Sequence, residues 1–128
     1  MADDVVRLWP PRPKGGRPVK CLGPMVRANS TALRILALEY GADVVYSEEL
    51  IARRMEVATV RENATLGTVD WLDAKGTAVA LRVDPALERG RLVVQFGASD
   101  GDVAARAAEG VARYAAGVDL NMGCPKPF

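Results

Sequence analysis

Cys124 has the most chemically pointed setting in the chain. It lies between Gly123 and Pro125, just after the strand candidate Val118-Asp119-Leu120-Asn121. Glycine permits unusual backbone angles and proline stops a strand or helix from running on, so the thiol belongs to an accessible turn. With an ordinary pKa of about 8.5, a thiol is mostly protonated near neutrality. The chain has no histidine to strip that proton, so Cys124 suits proton donation better than nucleophilic attack. The bland alternative, a buried small hydrophobe, describes most free cysteines and is the reading given to Cys21 within Val19-Lys20-Cys21-Leu22.

Gln95 and Asn121 come next. Each carboxamide both donates and accepts, which suits an imide-like edge such as that of a flavin or a uracil ring. Taken alone, each is equally an ordinary polar strand end. Glu48 and Glu49 are consecutive and share no face, and acidic residues are common at a helix start, so both read as structural. Arg53, Arg54 and Arg61 form a basic stretch that could meet phosphate, although a solvated surface explains them more simply. Trp9 and Trp71 could stack on bases, but on a hairpin Trp71 is better explained by packing against a sheet.

These residues need elements to position them. The 128-residue length suits one domain, and Lys and Arg total 17 against 16 Asp and Glu, a net charge of +1. That balance gives no global pull toward nucleic acid or anionic membrane. Two cysteines and no histidine exclude a disulfide framework and a paired-cysteine zinc site, so no metal is expected. No apolar run approaches the roughly 20 residues of a membrane span, and no charged-then-apolar leader is visible, so the expected compartment is the cytoplasm.

Residues 1–19 are rich in proline and glycine and read as a flexible tail, with the folded domain over 20–128. Val19–Leu22 is a strand stopped by Gly23-Pro24. Asn29 or Ser30 can cap a helix with Leu33, Leu36, Ala37 and Tyr40 on one face, closed by Gly41. Asp43–Tyr46 is a second strand, and Ser47 to about Arg54 a short helix. Thr68–Leu72 and Thr77–Leu81 flank Asp73–Gly76 as an inserted β-hairpin. Leu92–Phe96 is the third main strand, followed by a helix from Gly101 to Ala116 capped by Ser99 or Asp100 and ended by Gly117. Val118–Asn121 is the fourth. Strands alternating with helices imply an α/β fold with parallel pairing, in which ligands gather at the carboxyl ends of the strands. Pro24-Met25, Ser47-Glu48, Gln95 and Asn121 through Cys124 all fall there. No glycine-rich dinucleotide fingerprint opens a helix.

Asn121-Met122-Gly123-Cys124-Pro125-Lys126 resembles the signature of the tRNA-dihydrouridine synthases. Gly23-Pro24-Met25-Val26-Arg27 resembles the segment after that family's first strand, with Gly23 where alanine is common. Leu36 through Ile51 is especially similar to the eukaryotic type that modifies a D-loop uridine, and Val93-Val94-Gln95-Phe96-Gly97 resembles the third-strand segment. The resemblance runs from about Lys20 to the last residue.

It implies the first four strand-helix units, with an inserted hairpin, of a (β/α)8 TIM barrel that binds FMN. NADPH would reduce the flavin, hydride would pass to C6 of a tRNA uridine, and Cys124 would protonate C5. Pro24, Met25 and Val26 would line the flavin, Gln95 would bind its ring system, and Asn121 would sit against flavin or uracil. A closed barrel needs about 250 residues and eight strands. The chain therefore corresponds to the N-terminal half, without the family's later lysine, histidine, phosphate loops and helical tRNA-binding domain, and is expected to be inactive alone. Open barrel edges would give it a route to self-association. A non-catalytic binding module, or another FMN barrel oxidoreductase acting on a small molecule, are the alternatives.

Overall fold

The structure, a computed structural model, describes residues 13–124. Trp9 and the Pro125-Lys126 end of the cysteine motif lie outside them. Within the 1–19 segment, Lys14–Gly16 form a single 3-10 turn, and the Arg17 guanidinium makes two hydrogen bonds to Asp43, at 2.6 and 2.8 Å.

The elements run β1 (Cys21–Leu22), α1 (Thr31–Glu39), β2 (Val44–Ile51), α2 (Ala52–Glu56), β3 (Thr59–Asn63), β4 (Thr68–Leu72), β5 (Val79–Val83), β6 (Leu92–Gly97), α3 (Gly101–Val111) and β7 (Gly117–Leu120). They form an α/β fold with two sheets. One has four parallel strands in the order β1-β2-β6-β7, the other three antiparallel strands in the order β3-β4-β5. Val45, Leu92, Val94 and Phe96 on one face of the parallel sheet pack with Leu38 of α1, Ala52 and Met55 of α2, and Val103, Ala107 and Val111 of α3. Ser30 Oγ accepts from Leu33 N and Asp100 Oδ1 from Val103 N, so each long helix begins on a side-chain cap. Gly41, at φ 91°, takes the left-handed position that turns the chain out of α1.

Several boundaries differ from the sequence-based expectations. Ser47, Glu48 and Glu49 are not a helix start but belong to β2. The pairing steps from Tyr46 opposite Val93 to Glu49 opposite Gln95, a bulge in β2. There Ser47 Oγ accepts from Gln95 N at 3.0 Å and so replaces a main-chain acceptor, which is how polar residues remain in the ladder. The insert has three strands, not two. β3 carries Arg61 and Glu62, both exposed, and pairs with β4 alone, so as a solvated edge it needs no apolar alternation. β5 begins at Val79 because Asp73 holds Thr77 and Ala78 in a wide turn. α3 stops at Val111, and Gly117 opens β7 instead of ending the helix.

The α1 face also differs. Leu36 and Tyr40 are exposed, whereas Arg34 and Leu38 are buried. A buried guanidinium is tolerated only when its donors are met. Arg34 Nε donates to Glu88 Oε1 at 2.5 Å, Nη1 to Asn29 O and Nη2 to Arg82 O. Glu88, also fully buried, further accepts from Asp84 N at 2.9 Å. This cluster ties α1 to the chain leaving β5. Cys21 is exposed, not buried, because β1 is a two-residue edge strand. Trp71 packs as expected of a hairpin tryptophan, but against α3. Its Nε1 donates to Gly110 O at 3.2 Å, and its ring meets Tyr114 edge-on at 5.3 Å.

Candidate functional site

Paired residues in a sheet project to the same face, and every second residue along a strand joins them. Cys21, Val44, Tyr46, Glu49, Val93, Gln95, Gly117 and Asp119 therefore share the face opposite the helices. Asn121 continues that row past the end of β7, its N–H donating to Phe96 O at 2.8 Å. The Tyr46 hydroxyl pKa is raised, first by burial and then by the Asp119 and Cys21 charges, as the shared face requires.

Gln95 and Asn121 are brought together on adjacent strands. Gln95 is 7% exposed, and its Nε2 donates to Asp119 Oδ2 at 2.5 Å. Asn121 Oδ1 accepts from Gly123 N at 3.0 Å, closing the turn that carries the half-buried Cys124. Asn121 thus spends its acceptor on local structure, and among the described residues its Nδ2 makes no hydrogen bond. Glu49, across from Gln95 on β2, has a buried Oε1 with no hydrogen-bond partner among the described residues. A buried acceptor left this way is costly until a donor reaches it.

Pro24, Met25 and Val26 are exposed in the loop after β1. That loop is well held. Asn29 Nδ2 donates to Gly23 O at 2.7 Å and to Tyr46 O at 2.9 Å, and Arg27, at φ 63°, donates its N–H to Glu48 at 2.7 Å. Glu48 is structural, but as the anchor of a loop, not as a helix start. β1 and β7 are opposite edges of the sheet, so Pro24–Val26 and the Cys124 turn stand across the width of β2 and β6. A cavity of about 340 Å³ between α1, the β2 tip and β5, lined in part by Asn29, Glu48 and Leu81, touches neither Gln95 nor Cys124.

Sequence reasoning assigned Asp119 no role; it put Ser47 at a strand tip, Glu49 at a helix start and Asn29 at a helix cap, without the contacts the sheet gives them. Asp119 was findable, since it sits two residues before Asn121 in a strand. Ser47 and Asn29 act through a bulge and a loop, which leave no periodic signal. Arg53, Arg54 and Arg61 are exposed. Among the described residues, no cluster of His, Cys, Asp or Glu could hold a metal ion, and no helix is long and apolar enough to cross a membrane.

A family model described as dihydrouridine synthase (Dus) matches residues 21–128. A tRNA-dihydrouridine(20) synthase [NAD(P)+] of Schizosaccharomyces pombe is 40% identical over 111 residues, which cover 84% of this chain and 23% of that protein. The Saccharomyces cerevisiae protein of the same name is 37% identical, over 84% of this chain and 29% of its own length. A human tRNA-dihydrouridine(20a/20b) synthase [NAD(P)+]-like protein is 31% identical, over 87% of this chain and 30% of its own. The chain thus spans less than a third of the curated relatives it matches. With the Asn121–Cys124 turn inside the matched region, the chain belongs to the dihydrouridine synthase family.

Proposed function

We propose that this chain supplies the cysteine-bearing side of a tRNA-dihydrouridine synthase, which reduces the C5=C6 bond of a tRNA uridine. The observation that carries this reading is the row Glu49, Gln95, Asp119, Asn121, which ends in the Cys124 turn. The four parallel strands would be the first four of an eight-stranded TIM barrel, and the row would face its interior.

The residues fit a ring with an imide edge. Gln95 is pinned by its main chain and its amide, Asn121 Nδ2 makes no hydrogen bond among the described residues, and there Glu49 has a buried acceptor with no partner. FMN, once reduced by NADPH, would supply the hydride that C6 takes. Gln95 would hold the ring system, Asn121 Nδ2 would donate to a flavin or uracil carbonyl, and Pro24, Met25 and Val26 would cover the ring from the β1 side. Cys124 Sγ–H would deliver the proton to C5, a general-acid step of the kind worth about 10²–10⁴-fold in rate. Substrate tRNA and NADPH are the implied partners.

Two measurements test this. Replacing the matching segment of the S. pombe relative by residues 21–124 should preserve dihydrouridine formation, and Cys124→Ala in that chimera should lower it by at least about 100-fold. A chimera indifferent to Cys124→Ala would sink the acid assignment. Residues 1–128 alone, given FMN, NADPH and unmodified tRNA, should show no turnover, because among the described residues both edges of the parallel sheet are unpaired.

A further inference from the structure

Gln95 is held at two points. Its N–H donates to Ser47 Oγ at 3.0 Å at the β2 bulge, and its Nε2 donates to Asp119 Oδ2 at 2.5 Å across strands in register. The residue is buried, so solvent does little to loosen either bond. An ionised carboxylate can only accept. Turning the carboxamide over would set Oε1 against Oδ2 at hydrogen-bonding distance and forfeit a charge-assisted bond. The carboxylate therefore decides which end of the amide faces it.

We propose that Asp119 is a positioning residue. It fixes the Gln95 carboxamide so that Oε1 is the acceptor left for a bound ring, and the ring edge taken there is an imide N–H. This rests on the reading of the strand tips as a ring-binding site. Flavin and uracil both carry an imide N3–H, so the recognised chemistry is shared and the ligands must be tested separately. Asp119 would act on a ring through the Gln95 carboxamide that it holds.

Gln95 is the only glutamine in the chain, so ¹⁵N-glutamine labelling of residues 1–128 yields one side-chain amide pair with no assignment problem. In the wild type that pair should lie downfield, as an amide bonded to a charged acceptor does. In Asp119→Asn, which offers only a neutral acceptor, it should move upfield while the rest of the spectrum stays dispersed. A pair at the same position in both proteins would overturn the proposal.

The second arm compares riboflavin with N3-methylriboflavin, and uridine with N3-methyluridine, by the shifts of the same pair. The wild type should prefer an unmethylated ring by about tenfold, and Asp119→Asn should shrink that preference at least threefold. A preference confined to one pair of ligands names the ring that Gln95 reads. Equal affinity for a ring and its methylated form would overturn the imide assignment. A pinned amide with no ring bound, by residues 1–128 or by the S. pombe chimera, would sink the ring-binding reading and leave the hold of Asp119 on Gln95 standing.

Discussion

The antiparallel insert and the parallel sheet stand in contrast. The insert, β3 to β5, completes itself from neighbouring sequence. Asp70 accepts two hydrogen bonds from Arg82 on the adjacent strand, at 2.6 and 2.7 Å, with Asn63 and Thr68 adding to the same carboxylate. Its buried Trp71 is covered by α3. The parallel sheet is built from segments far apart in sequence, ends among the described residues on two unpaired edges, and leaves Val118 and Leu120 exposed on its helix-side face. Every candidate site residue lies on this second region. Local pairing makes a module that satisfies itself, whereas the site is assembled where the fold still offers unmet groups.

The two regions are joined by the Arg34–Glu88 cluster, and breaking it should give the largest effect. Glu88→Ala leaves a buried guanidinium unpaired and should cost about 3–5 kcal/mol, read as a lower urea midpoint. The double variant Arg34→Met/Glu88→Leu should recover most of that loss, since replacing a buried pair by apolar groups of similar volume is often neutral. A smaller break is Trp71→Phe. It keeps an aromatic ring against Tyr114 but gives up the bond to Gly110, and should cost about 1–2 kcal/mol. If neither change lowers stability, the insert is not docked as described.

Acid distinguishes the regions more gently. The Arg17 guanidinium holds the Asp43 carboxyl down from 3.8 to about 2. Because the folded pKa lies below the ordinary one, this contribution is present above pH 4 and is lost as pH falls toward 2. Arg17→Ala should flatten stability against pH in that window. Asp70 is lowered in the same direction, first by its hydrogen bonds from Arg82, so Asp70→Asn should flatten the acid limb from the insert's side. The smallest effect on stability, within about 0.5 kcal/mol, is expected for Val118→Lys/Leu120→Lys. That pair should nonetheless reduce self-association at high concentration by light scattering if the exposed apolar face is what drives it.

Strand tips were legible because in alternating α/β sequences they are polar and their residue types are specific. Gln95 and Asn121 do lie on neighbouring strands that pair in parallel, with Cys124 in the turn that follows. The elements that failed to announce themselves share a cause. β3 reads as loop because an edge strand in water can be charged on both faces. The β2 bulge hides within Ser47-Glu48-Glu49, which has the composition of a helix start. Arg34 looks like a surface residue because its partner Glu88 is 54 residues away.

The sequence by itself determined the α/β alternation and the turn at Cys124, since periodicity, glycine and proline act locally. Only the tertiary structure decided that Asp119 pins Gln95, that Asn29 and Glu48 anchor the loop after β1, and that Arg34 lies buried. Each depends on hydrogen bonds between residues that the chain separates and only the folded sheet brings within reach, and no local pattern encodes such distances.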